Sequence, residues 1–286
     1  ADNRMVVTSL PTKAIEPPSD LESYKICLFG TKGIGKTTLA NSFNNAFTLI
    51  CEAPRRNLRI NGYPNYAAGD PPLNYERASQ VIDLFLKSAF DLLIVDTADR
   101  LYELCQIHFR EQHGIEHEGE IEYGKGWDKP RELFEELLNR VAFSNKGLIV
   151  ISHVISKDRT NYVEDSVTQE VRPSLDKRPW AWVQTATDIV MCYDFVGNDR
   201  VLTIRGNERI MARCGLKDNF IAVDGDDLNA FLMPNKPEEG YERLMQAFNN
   251  ELPDYYRQKE AEAQAKKKES VAKLQAKVAA KKAIKK

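Results

Sequence analysis

Eight consecutive residues, Gly30-Thr31-Lys32-Gly33-Ile34-Gly35-Lys36-Thr37, carry the densest chemistry in the chain. They fit G-x-x-x-x-G-K-[ST] without a gap, the pattern of a loop that cradles phosphates. Glycines let the backbone turn until its N–H groups face phosphate oxygens, and the start of a following helix adds a positive dipole end. Lys36 brings a point charge to the β- and γ-phosphates, the Thr37 hydroxyl suits magnesium, and Thr38 is placed to meet the α-phosphate. Residues 30–38 are therefore the expected nucleotide site, with ATP and Mg2+ as its ligands.

A phosphate site needs acidic partners, and the ends of buried strands can deliver them to one edge of a sheet. Asp96 closes the run Asp91-Leu-Leu-Ile-Val-Asp96 and is the expected magnesium carboxylate beside Thr37. Glu52 ends the run Phe-Thr-Leu-Ile-Cys and is the candidate base for the attacking water, since Glu76 and Glu103 fall within helical patterns. Ser152 and His153 end a third apolar run, where a polar side chain can sense the γ-phosphate and pass its state to the loop that follows.

The elements that position these groups alternate. Strands are expected over 25–29, 47–51, 92–95 and 148–152, and helices over 36–43, 75–89 and 130–142. The continuous apolar character of the 92–95 and 148–152 runs belongs to parallel strands covered on both faces. Runs over 189–195, 201–205 and 220–223, broken by Gly197-Asn198-Asp199, predict a meander at one edge. The fold class is α/β: a mostly parallel sheet with helices on both faces and an antiparallel edge. With 42% hydrophobic and 29% charged residues, the composition excludes disordered and membrane-spanning classes. Five scattered cysteines without a C-x-x-C pair read as buried thiols of a reducing compartment.

Three organisational units are expected: an extended lead-in over 1–22 with Pro11, Pro17 and Pro18, an ATPase domain over 23–253, and a tail over 254–286. From residue 257 onward eleven Lys or Arg face three Glu, a net of +8 that leaves −10 on the preceding 256 residues. The tail reads as a basic amphipathic helix, able to hold a polyanion or to remain a solvated terminus.

The class of phosphate-binding protein is narrowed by what is missing. A guanine clamp of the N-K-x-D type is absent, because Asn145-Lys146 runs into Gly147-Leu148. The extra lysine of partition ATPases would stand at position 31, which is threonine. A small-molecule kinase and a nucleotide-gated interaction switch both stay open. In order along the chain, KICLFGTKGIGKTTLA, TLICE, LLIVDT, YGKGW, GLIVISH and LKDNF resemble the phage-encoded RecA-like ATPases of the Sak type, which are linked to single-strand annealing and recombination.

That resemblance implies a RecA-like P-loop NTPase hydrolysing ATP on single-stranded DNA. It further implies a homo-oligomeric ring or filament, a single-strand-binding protein as a further partner, and a cytoplasmic location with no membrane. It places the catalytic base at Glu52, the magnesium aspartate at Asp96 and the strand-ending histidine at His153. The late motif reads Lys217-Asp218-Asn219, without the arginine usual there, so Lys217 or Arg213 stands as the cation offered to a neighbouring subunit. DNA-binding loops would fall over 119–127 and 156–187. There Lys125, Arg159, Arg172, Lys177 and Arg178 can meet phosphates while Trp127, Trp180 and Trp182 stack on bases, among acidic neighbours such as Glu164 and Glu170.

Overall fold

The computed structural model describes residue 10 and residues 12–53, 58–121, 125–161 and 166–257. The side chains of Lys125, of residues 159–161 and of residues 166–168 lie outside that description. So do most of the lead-in's first eleven residues and the tail from residue 258 onward.

Short apolar runs become the centre of one sheet. Lys25–Phe29 (β1) pairs in parallel with Gly147–Ser152 (β5), which pairs with Leu92–Asp96 (β4), which pairs with Ala46–Ile50 (β2). Gly62–Tyr63 (β3), not expected from the sequence, adds a short parallel edge beside β2. On the other side of β1 lies Ile189–Val196 (β8), also parallel. Asp199–Thr203 (β9), Arg213–Cys214 (β10) and Ala230–Leu232 (β11) complete that flank with antiparallel pairing. The order across the sheet is β3-β2-β4-β5-β1-β8-β9-β11, with β10 paired to β8.

Alternation along each strand splits the core into two layers, as a side-chain period of two requires. In β1, Cys27 and Phe29 face one layer while Ile26 and Leu28 face the other. The first layer is closed by helices Tyr75–Lys87 (α2), Ala98–His113 (α3), Lys125–Ala142 (α4) and Lys177–Ala186 (α5), through residues such as Ile82, Leu101, Phe134 and Val183. The second is closed by Lys36–Asn41 (α1) and Gly240–Phe248 (α6) through Leu39 and Phe248. Phe134 is wholly buried, so Phe134→Ala would cost about 3–5 kcal/mol.

Several boundaries differ from expectation. The segment expected as a DNA-binding loop over 156–187 is instead an antiparallel hairpin, Val154–Asn161 (β6) with Ser166–Pro173 (β7), followed by α5. Helix α4 starts at Lys125 rather than near Pro130, so Trp127 stands on a helix and not in a loop. The 220–223 strand is absent: Phe220 takes φ 56, a left-handed conformation that stops an extended run, and β11 begins only at Ala230. Residues expected at the start of the tail remain in the folded body, because Tyr256 packs on the second core layer and Arg257 pairs with Asp224.

Four cysteines are buried and Cys214 is half-buried, all as free thiols. Burial pushes the thiols of Cys27, Cys105 and Cys192 up, which leaves them inert. Among the described residues no helix is long and apolar enough to cross a membrane.

Candidate functional site

The glycine loop emerges from β1 and enters α1, whose N-cap is Gly35. At Gly30, with φ +156, a Cβ would stand 1.7 Å from the Tyr193 carbonyl oxygen of β8, so glycine alone lets the loop pass that strand. The Lys36 ammonium donates to the carbonyls of Gly30 at 2.7 Å and Thr31 at 3.0 Å, which holds the charge under the arch of the loop.

Parallel register carries the acids to the same edge. Beyond the end of β2, the N–H groups of Cys51 and Glu52 still donate to the Asp96 carbonyl, at 2.8 and 3.3 Å, so the chain cannot diverge before it presents Glu52. Thr37 donates through Oγ1 to Asp96 Oδ2 at 2.6 Å, joining α1 to the tip of β4. Glu52 Oε1 accepts from Thr97 Oγ1 at 2.7 Å and lies 3.0 Å from His153 Nε2. An ionised carboxylate only accepts, so this pairing assigns the ring proton to Nε2. His153 Nδ1 is shut from solvent and has no partner among the described residues.

Burial pulls the Glu52 carboxyl upward. The hydrogen bonds from Thr97 and His153, with the attraction of His153 and Lys32, outweigh it and hold the group below its ordinary value of 4.5. Glu52 is therefore an anion at neutral pH.

These groups line one cleft: Gly33, Lys36, Thr37, Glu52, Asp96, Thr97 and His153, together with Thr48 and Ile50 of β2. Its empty space is about 540 Å3, counting solvent at the mouth. An oxygen-only pair, the Thr37 hydroxyl and the Asp96 carboxylate, is the donor chemistry that magnesium selects. Sequence reasoning missed Thr97 and Asn41. Thr97 caps α3 as well as holding Glu52. Asn41 ties the Thr37 carbonyl to the Thr48 hydroxyl at 2.9 and 2.8 Å. The Asp-Thr pair ending LLIVDT was the available signal for the first; nothing in the spacing pointed to the second.

The other expected residues divide. Lys217 is exposed and follows β10, which pairs with Ile189 and Val190 at the amino end of β8. That is the sheet edge away from the loop, so Lys217 does not join the cleft of its own chain. Arg213 is engaged with the carbonyls of Gln184 and Thr187.

Trp180 is buried in the first core layer and is unavailable for stacking. Trp182 packs edge-on to Phe134 and donates Nε1 to Asn139 at 2.8 Å, also a structural role. Both were expected on a loop; on α5 they stand two positions apart, Trp180 on the buried face with Val183 and Trp182 half-buried beside it. Trp127 stays exposed, with the Arg178 guanidinium 5.5 Å from its ring centre, so the two expected DNA-binding segments do meet there. Arg172, Lys177 and Lys157 line an open groove between the β6–β7 hairpin and α5, beside Asp176 and Gln184.

No curated protein sequence matches the chain. Several solved structures are similar. A KaiC-like protein from the hyperthermophilic archaeon Pyrococcus horikoshii aligns over 76% of this chain and 88% of its own, at 13% identity and a TM-score of 0.43. The RadB recombinase aligns over 76% and 89%, at 14% identity and 0.39. A prototypical ATPase from the type III secretion system of pathogenic bacteria aligns over 60% and 52%, at 14% identity and 0.37. At family level the AAA domain matches residues 22–214, a span that contains every group of the cleft from Gly30 to His153. The chain belongs to this AAA-domain family of P-loop ATPases.

Proposed function

We propose that the chain is a RecA-like ATPase that binds single-stranded DNA and couples the state of its nucleotide to annealing or strand handling, as in phage recombination or replication. The observation that carries the coupling is the position of His153. Its ring meets Glu52 inside the cleft, and its carbonyl accepts the N–H of Ser174 at 3.0 Å, closing the root of the β6–β7 hairpin. Ser174 in turn donates to Asp99 on α3, two residues after Thr97. This path, from Glu52 through the His153 ring and its backbone carbonyl to Ser174 at the groove, supports coupling between the γ-phosphate and the cationic groove.

In hydrolysis, Glu52 takes a proton from the water that attacks the γ-phosphorus as the bond to the ADP oxygen breaks. Lys36 and the loop N–H groups face the charge that builds on the phosphate oxygens. Thr37 and Asp96 would hold magnesium, which would supply charge neutralisation to the phosphates. Lys217, remote from its own cleft, supports a cation delivered to a neighbouring copy in a ring or filament. A single-strand-binding protein is a further partner on this reading.

The test is steady-state ATP hydrolysis with and without single-stranded DNA, with duplex DNA as comparison and ionic strength fixed. A several-fold rise with single strands is expected. An ATPase rate indifferent to DNA, with no DNA bound, would replace this reading with a nucleotide-gated interaction switch.

A further inference from the structure

The acids and the histidine expected near the γ-phosphate lie on one side of β1: His153 after β5, Asp96 on β4 and Glu52 after β2. A triphosphate laid along the loop with its γ end there must send its nucleoside end to the other side of β1. That side is occupied by the turn between β8 and β9. Phe195, next to the tip of that turn, leaves 45% of its surface exposed. Its cross-strand partner Arg200 places its guanidinium 5.1 Å from the ring centre and donates to the carbonyl of Ile34 in the loop itself. Pro237 closes the same corner, so near Gly35 that a Cβ there would stand 2.6 Å from the proline ring.

We propose that the β8–β9 turn is the nucleoside subsite, with the Phe195 ring and the Arg200 guanidinium laid on it as the surface that receives the nucleobase. The arrangement suits a flat aromatic ligand. A guanidinium fixed against a ring is pre-organised, and its other face can stack on a base at little cost in side-chain entropy. Arg200 also has a positioning role, since it anchors the turn to the phosphate loop.

The inference rests on the triphosphate reading of the cleft, and calorimetric titration with two ligands separates them: MgATP, and magnesium tripolyphosphate, which has no nucleoside. Phe195→Ala is expected to weaken MgATP about five- to tenfold while tripolyphosphate moves less than about twofold, and Phe195→Trp to restore MgATP. Equal loss for both ligands would mean that the turn only braces the loop, and no loss for either would place the base elsewhere; each overturns the subsite. Wild-type protein that binds neither ligand would overturn the triphosphate reading beneath it.

Discussion

The phosphate cleft and the cationic groove sit a few residues apart in sequence and are built on opposite principles. In the cleft, Thr37, Asp96, Glu52, Thr97 and His153 are joined by hydrogen bonds of 2.6–3.0 Å; Thr37 opens α1 and the other four stand at the ends of buried, parallel strands. The groove's Lys157 and Arg172 ride on a two-stranded hairpin outside the main sheet, and Lys177 opens a helix at the surface. Chemistry on a phosphorus atom needs groups fixed to within about half an ångström, which a sheet edge supplies. A polyanion asks mainly for charge along a path, which a hairpin can offer while it moves. The two regions should therefore respond to substitution differently, sharply in one and by gradation in the other.

The largest effect is expected in the cleft. Lys36→Ala removes the charge beneath the loop and should lower ATP turnover by at least about a hundredfold, mostly through lost triphosphate binding. Turnover within a few-fold of wild type would break the assignment of this loop. Glu52→Gln keeps the shape of the side chain and removes the base. It should cut kcat by roughly 10²–10⁴ while ATP still binds within a few-fold, measured by single-turnover hydrolysis beside equilibrium binding.

That Lys36 and Glu52 would come to one cleft was legible before any fold was known, and the reason is physical. A phosphate loop needs glycines and a lysine at fixed spacing, and a parallel strand covered on both faces needs an unbroken apolar run whose last residue emerges at the ligand edge. Those demands are local. The hairpin is different: residues such as Lys157, Asp158, Gln169 and Glu170 are polar in succession, so the alternation that marks a half-buried strand is weak and the segment reads as a loop. Pro130 misled in another way. It favours a first turn, yet α4 begins five residues before it and carries Trp127 out of the expected loop. The Phe195–Arg200 pair and the anchoring of Arg200 on Ile34 depend on register across strands and on a contact 166 residues apart in the chain, which no spacing rule reports.

The groove sharpens the comparison at smaller scale. Replacing Arg172 and Lys177 together by Ala should make single-strand binding less steeply dependent on salt, by about 1.4 in the slope of log K against log salt concentration if both meet phosphates. Binding should weaken across all sequences alike, and the DNA-stimulated ATPase should fall more than the DNA-free rate. An unchanged salt slope would remove these two cations from the DNA path and leave Trp127 with Arg178 as the contact to examine.

The smallest expected effect concerns Thr97, which lines the cleft and holds the Glu52 carboxylate. A carboxyl kept below its ordinary value stays ionised as the solution is acidified, so the acid limb of the kcat profile should lie below pH 4.5 where Glu52 is the base. Thr97→Val removes one of the hydrogen bonds that keeps it there, the upward pull of burial then counts for more, and the limb should move to higher pH with a modest loss of kcat at neutral pH. The same sign governs stability: the bonded anion favours the fold above the ordinary carboxyl value, and that contribution is lost as pH falls through the depressed one. Thr97→Ser, which keeps the hydroxyl, should restore the profile. A limb that stays in place in Thr97→Val would mean that His153 and Lys32 set the charge of Glu52 without the threonine, and His153→Gln would then be the substitution that moves it.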